Sequence, residues 1–122
     1  MRIAGLGFRT SASVASLQDA LTAAGGLDGV VALATVDSKA DAPALQALAA
    51  ELGLPVREMS PAALAGVATV SVSVLMLQRF GTGSLAEAAA LAAAGPGARL
   101  LGPRKVSADG LATAAIAETN NA

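Results

Sequence analysis

The chain of 122 residues has no cysteine, no histidine, no tryptophan and no tyrosine, and its only aromatic residues are Phe8 and Phe80. Each absence removes a class of chemistry. Without cysteine there is no disulfide and no thiolate nucleophile. Without histidine there is no Ser-His-Asp triad, and without either there is no His/Cys metal site. What remains is carboxylates, hydroxyls, Lys, Arg and backbone N–H groups. Charge is sparse too: eight basic and nine acidic residues give a net charge of −1. They are scattered, so no basic face exists to meet the phosphates of a nucleic acid. Arg104-Lys105 is the nearest approach to one, large enough for a single carboxylate or phosphate, and solvation in a strand accounts for at least one of the pair. Long hydrophobic runs are also missing. The uncharged stretch from Met59 to Gln78 contains Pro61, Gly66 and several hydroxyls and reads as buried protein, not as a membrane span. Arg9 interrupts the place where the apolar part of a signal peptide would continue, so a cytoplasmic protein is expected.

Apolar residues make up 54% of the chain, enough to bury one core, and much of that fraction is alanine. Such a core depends on close approach of helices to a sheet, with Leu, Val and Ile filling the gaps. The length suits one domain spanning 1–122.

The order of elements points to an α/β fold. Arg2 to Phe8 is an apolar strand ending in Gly5-x-Gly7, read as a tight turn. Ser11 or Ser13 then caps a helix with Val14, Leu17, Leu21 and Ala24 on one face. Val30 to Val36 is a second strand, apolar throughout as in a sheet covered on both sides. A helix from about Ala42 to Leu52 follows, with Leu45, Leu48, Ala49 and Leu52 at helical spacing, and Pro55 to Met59 forms a third strand. This succession predicts parallel βαβ units with right-handed crossovers. Pro61 to Leu64 reads as one helical turn, Gly66 to Ser71 as a loop and Ser73 to Phe80 as a short helix. An alanine-rich helix opens at Ser84 and ends at Gly95. Arg99 to Val106 and Leu111 to Glu118 form an antiparallel hairpin across Asp109-Gly110. The expectation is a single mixed, mainly parallel sheet of about five strands flanked by helices, with 119–122 a frayed tail.

Three loops carry chemistry. Gly7, Phe8, Arg9, Thr10 and Ser11 lie between a strand and a helix N-terminus, where backbone N–H groups attract an anion. The loop is a poor dinucleotide fingerprint, because Thr10 stands in place of the third glycine and Asp37 lies too far on. A tight turn without ligand is the alternative. Thr35, Asp37, Ser38 and Lys39 sit at the carboxyl end of the second strand, where ligands of open α/β sheets bind. Asp41 or Ser38 is read as the cap of the next helix. Asp37 and Lys39 stay open between ligand contact, acid–base chemistry and simple solvation. Gly81, Thr82, Gly83 and Ser84 bring bare backbone to a helix start, which suits close approach of a ligand. Ser84-x-x-Glu87 fits a capping box, a sufficient role for Glu87.

Taken in order, Gly5-Leu-Gly7-Phe-Arg9, Ala34-Thr-Val-Asp-Ser-Lys-Ala-Asp41, Leu52-Gly-Leu-Pro55, Gly81-Thr-Gly-Ser-Leu-Ala-Glu87-Ala-Ala-Ala-Leu91, Arg99-Leu-Leu-Gly-Pro-Arg-Lys105 and Thr113-Ala-Ala-Ile-Ala117 resemble the CobE/CbiG C-terminal family of cobalamin (vitamin B12) biosynthesis, over nearly the whole chain. The resemblance implies a role on macrocyclic intermediates. In the anaerobic pathway CbiG opens a lactone and releases a two-carbon fragment. The same domain stands alone in the aerobic pathway, and a chain of this domain only is nearer those members. Many relatives have a cysteine where this chain has Phe8 and often a glutamate where it has Ala42, and both differences lean toward binding over catalysis.

The resemblance thus implies binding of a corrin or precorrin intermediate, in a carrier or accessory role. Contact with other cobalamin pathway enzymes is a further expectation, and no nucleic acid, membrane, metal or cofactor is expected. The rival is a hydrolase or isomerase acting on such an intermediate through Asp37 or Lys39. With no imidazole for cobalt, cobalt-free intermediates fit best. The 7–13, 35–40 and 81–84 loops are expected to converge at one edge of the sheet.

Overall fold

The computed structural model describes residues 1–119. Its strands are β1 (Arg2–Phe8), β2 (Val30–Val36), β3 (Val56–Met59), β4 (Arg99–Leu100), β5 (Lys105–Val106) and β6 (Ala112–Glu118). The helices are α1 (Val14–Ala23), α2 (Asp37–Ala40), α3 (Pro43–Leu52), α4 (Pro61–Leu64), α5 (Val74–Phe80) and α6 (Leu85–Ala94). They build one α/β domain around a mixed sheet in the order β3-β2-β1-β6-β4, with β5 also on β6. The sheet is parallel from β3 to β1, and β6 runs antiparallel to β1, β4 and β5.

The sheet has six strands rather than about five because the 99–106 strand is broken. Arg99 pairs with Glu118 and Lys105 with Ala114, so six steps on one strand (99 to 105) face four on the other (118 to 114). The two surplus residues bulge out around Pro103, which has no N–H for a ladder. Arg104 leaves the ladder with them.

Alternation along β1 assigns each face its helices. Ala4 and Leu6 pack with Leu17, Leu21, Leu45 and Leu48 of α1 and α3, joined by Ala112, Ala114 and Ile116 of β6. On the other face Ile3, Ala32, Ala34 and Ala117 meet Leu85, Ala88, Ala89 and Ala90 of α6. The first face is filled by leucines, the second by small residues at close range. Gly5 shows how close: a Cβ there would lie 2.0 Å from the Ala86 carbonyl oxygen.

Local signals place most element ends. Ser13 caps α1 in a reciprocal box with Ser16, and Pro43 opens α3 at its first turn. Neither Asp41 nor Ser38 caps α3; its N-cap is Ala42, which offers no side-chain acceptor. Thr119 is buried and exchanges two backbone hydrogen bonds with Met1 (2.9 and 3.0 Å), which ties the last described residue to the first strand instead of leaving it frayed. The rest of the expected tail, 120–122, lies outside the described residues. No helix among the described residues is long and apolar enough to cross a membrane.

Candidate functional site

The carboxyl ends of β1 and β2 open into a cleft of about 640 Å³. Its floor comes from Gly7 and Phe8 of β1, the turn at Arg9–Ser11, and Gly110 to Thr113 where β6 begins. One wall is α5, contributing Leu75, Met76, Arg79 and Phe80, with Ser73 at its cap. Lys39 of α2, Leu85 of α6, and Arg104 and Val106 from the broken strand complete the lining. This is where an open α/β sheet places ligands, because loops diverge beyond the strand ends.

The electrostatics are one-sided. Arg9, Lys39, Arg79 and Arg104 line the cleft, four of the eight basic residues of the chain, and among the described residues no carboxylate lines it. The remaining cations are engaged or outside the cleft: Arg2 and Arg99 pair with Glu118 at 2.8 and 3.2 Å, Arg57 donates to the Ala93 carbonyl, and Lys105 is exposed on β5. The nearby Asp109 is turned to its own loop and to α1. It accepts from Ser107 and Ser16 (both 2.6 Å) and from the Leu111 N–H, and these bonds hold its carboxyl below the usual range.

Lys39 is the most constrained of the four cations. Its ammonium donates to the Phe8 carbonyl at 2.8 Å and lies 5.3 Å from the centre of the Phe8 ring. Phe8 therefore supplies a cation–π partner as well as an apolar floor. Partial burial and, after it, the charge of Arg79 hold the Lys39 ammonium below the ordinary lysine range. A carboxylate entering the cleft would favour the ammonium and so offset both effects.

Gly7, Phe8, Arg9, Thr10, Ser11 and Lys39 are thus brought together as the sequence suggests. The other singled-out residues are placed elsewhere. Asp37 and Ser38 are exposed in the short α2 and do not line the cleft. Thr35 is fully buried, its hydroxyl donating to the Leu6 carbonyl at 2.9 Å across the β1–β2 pair. Gly5 and Gly7 lie within β1 and not in a tight turn; they lack side chains because α6 and Thr113 crowd them. The turn itself falls at Arg9 to Ala12, closed by the Ala12 N–H on the Arg9 carbonyl.

Gly81, Thr82, Gly83 and Ser84 are not among the lining residues either. Thr82 is buried and donates to the Val67 carbonyl, and Ser84 is buried as the cap of α6. The close approach at Gly83 is made by the chain itself: a Cβ there would meet the Ser71 carbonyl oxygen and the Thr69 hydroxyl, both at 2.7 Å. The 81–84 loop therefore anchors α5, and α5 presents the wall. Only half of the expected capping box at Ser84 forms. Ser84 accepts from the Glu87 N–H at 3.3 Å, but the Glu87 carboxylate turns to Val70, Ser71 and Arg104 instead of reaching back.

The α5 wall, Arg79 included, lies outside the three loops that the sequence singles out. Its sequence signal is that Leu75, Met76, Arg79 and Phe80 share one helical face, with a cation set in an apolar stripe. No group of three His, Cys, Asp or Glu among the described residues can hold a metal ion.

Fold and cleft together define an α/β domain with a cation-lined, partly apolar mouth, suited to an anionic organic ligand. Residues 2–117 match the model of the family described as Cobalamin synthesis G C-terminus, and the chain belongs to that family. It is accordingly a protein of the cobalamin biosynthesis pathway. The chain is similar to the crystal structure of CobE, a protein from the cobalamin (vitamin B12) biosynthetic pathway, with 38% identity over 96% of this chain and 89% of that one and a TM-score of 0.79. It is also similar to the cobalamin biosynthesis protein chiG from Agrobacterium tumefaciens str. C58, with 36% identity over 99% of this chain and 100% of that one and a TM-score of 0.73. No curated protein matches the chain.

Proposed function

We propose that the protein binds a cobalt-free corrin or precorrin intermediate in this cleft and serves the pathway as a carrier or accessory protein. The observation that carries this reading is the lining itself, with four cations, no carboxylate among the described residues, and apolar contacts from Phe8, Leu75, Met76, Phe80, Leu85 and Val106. Corrin intermediates present a ring of acetate and propionate carboxylates around a flat apolar macrocycle. Cations at the mouth suit the rim, and the aromatic and aliphatic walls suit the ring. A carrier must also give up its ligand to other enzymes of the pathway, and a cleft open to solvent along one side allows that exchange.

A second reading, an enzyme acting on such an intermediate, is favoured by one observation. The lowered ammonium of Lys39 is the kind of perturbed group that acid–base chemistry uses. Asp37, the other candidate, is exposed outside the cleft.

Titration with a panel of cobalt-free corrin polycarboxylates separates the two. Visible spectra report binding, and the mass of the recovered pigment reports chemistry. The carrier reading expects stoichiometric saturation, unchanged pigment mass, and affinity that weakens moderately with salt because apolar stacking is not screened. Altered pigment formed many times over per protein molecule replaces the carrier by an enzyme. Absence of binding across the panel removes both.

A further inference from the structure

Helix α6 is sheathed on every side, with Leu85, Ala86, Ala88, Ala89 and Ala90 all buried, and it carries one charged residue, Glu87. Glu87 is 0% exposed, and no ion pair reaches it among the described residues. A buried carboxylate without a cation costs stability unless its oxygens are well bonded. Here they are. Oε1 accepts from the Val70 and Ser71 N–H groups at 2.8 and 2.9 Å, and Oε2 accepts from the Arg104 N–H at 2.7 Å. Burial pushes the carboxyl up, yet the bonds from Ser71, Arg104 and Val70 outweigh it and leave the group below its usual range.

The location of the three donors matters more than their number. None belongs to α6 or to the paired strands. Val70 and Ser71 lie at the root of the α5 wall, just before its cap at Ser73. Arg104 belongs to the bulge of the broken strand, a separate part of the lining, where Pro103 has broken the ladder. One carboxylate therefore bridges the backbones that carry Arg79 and Arg104, two of the four cleft cations. α5 itself buries no residue; besides the half-buried Met76 and Phe80 and the 81–84 loop, the Glu87 carboxylate holds its root and joins it to the Arg104 segment.

We propose that Glu87 is the positioning residue of the cleft, setting the separation of the α5 wall from the Arg104 wall and thereby the affinity for a polycarboxylate that both walls grip. The affinity part rests on the binding reading above; the coupling of the two walls does not. An apolar residue at 87 would fill the space without joining the walls, which accounts for a charge in an otherwise Ala/Leu helix.

Glu87→Gln tests this, because it keeps volume but replaces one acceptor oxygen with a donor. Gln cannot accept from both walls, so at least one is released with an orphaned N–H. The probe is the cobalt-free corrin hydrogenobyrinic acid, titrated at a temperature where circular dichroism shows both proteins fully folded. Amide hydrogen exchange is read at Val70, Ser71 and Arg104. The expected result is faster exchange at one or both walls and an affinity lower by about tenfold or more. In addition, Arg104→Ala should cost less in the Glu87→Gln background than in wild type, a non-additivity that mere loss of stability would not produce. Wild-type affinity in fully folded Glu87→Gln with accelerated exchange overturns the proposal, and so does unchanged exchange at all three amides. Should Glu87→Gln not fold, exchange in the wild type with and without pigment decides: joint slowing of the amides on both walls supports the coupling, and slowing confined to one wall refutes it. Failure of the wild type to bind this or any other pigment of the panel defeats the binding reading alone; the exchange comparison still decides whether Glu87 couples the walls.

Discussion

Helices α5 and α6 both begin on a serine that accepts from the N–H three residues on, at 3.4 Å for Ser73 and 3.3 Å for Ser84, and both lie on the same side of the sheet. Beyond the cap they diverge. In α6 seven of the ten residues are buried, whereas α5 buries none of its seven. The residues explain the contrast. Small side chains let α6 sit directly on Gly5, Gly7, Ala32, Ala34 and Ala117, where backbone meets backbone. The Val-Leu-Met-Leu run of α5 is too bulky for that seat, and Val74 and Leu75 stay exposed at 69% and 51%. α6 belongs to the frame and α5 to the site, so, Glu87 apart, changes in the first should act on stability and changes in the second on binding.

The largest expected effect comes from disturbing the seat of α6. Gly5→Ala places a methyl 2.0 Å from the Ala86 carbonyl oxygen and 2.7 Å from the Ala90 nitrogen. These are backbone atoms of a helix that cannot rotate away, so the whole helix must lift. The cost should reach or exceed the upper end of the ~1–3 kcal/mol typical of overpacked cores, measured by urea unfolding. Val74→Ser on α5 is the counterpart, and its exposed site predicts a change within about 0.5 kcal/mol. Equal losses in the two variants would erase the distinction between the helices.

Next in size are the cations. If the cleft binds a polycarboxylate as proposed, Arg79→Ala and Lys39→Ala should each remove a charge-assisted contact worth about 1.5–3 kcal/mol. Titration with a corrin polycarboxylate should show a loss of roughly tenfold to a hundredfold. Arg79 is exposed, so its removal should leave unfolding unchanged within about 0.5 kcal/mol. If Arg79→Ala binds like wild type while Lys39→Ala does not, α5 is a bystander and the cleft reduces to the β1–α2 side.

This contrast was only partly open to sequence reading. Periodicity sufficed for β1, β2, α1 and α3, because each has one clear face or is covered on both, and for the short α5 between its serine and its glycine. Asp109-Gly110 located the final turn. The bulge at 102–104 was hidden, since Pro103 signals a break but not which residues slip. Gly5-x-Gly7 suggests a turn but lies in β1, because a glycine before a loop and a glycine beneath a helix look alike in sequence; only the position of Ala86 tells them apart. Within the cleft, Arg9 and Lys39 follow strand ends in the chain and could be found that way. Arg79 reaches the same place from forty residues beyond Lys39 (79 − 39 = 40), through a crossover that no local pattern encodes. The long reach of Glu87 was masked by a capping box that explained it too readily.

The smallest effect, and the finest test of the α5 wall, is the pH dependence of binding. Lys39 is held below the ordinary lysine range first by burial and then by Arg79. For a base with a depressed folded pKa, the unfolded chain holds the proton over a window where the folded protein has released it. Stability from this group therefore rises with pH from the folded value up to the ordinary one. Binding runs the other way. A ligand carboxylate beside Lys39 favours the ammonium, so binding takes up a proton in that window and affinity falls as pH rises through the folded value. The fall should be smaller than the loss in Lys39→Ala, because the neutral amine can still donate a hydrogen bond that alanine cannot. Lys39→Arg keeps its charge throughout and should flatten the profile. Arg79→Ala removes the secondary cause of the depression and should move the fall to higher pH. Titrations across the alkaline range in these three proteins check the sequence of effects. A wild-type profile as flat as that of Lys39→Arg would mean that the Lys39 ammonium does not meet the ligand. An Arg79→Ala profile superimposable on wild type, apart from its weaker affinity, would mean that α5 does not press its charge on the floor of the cleft.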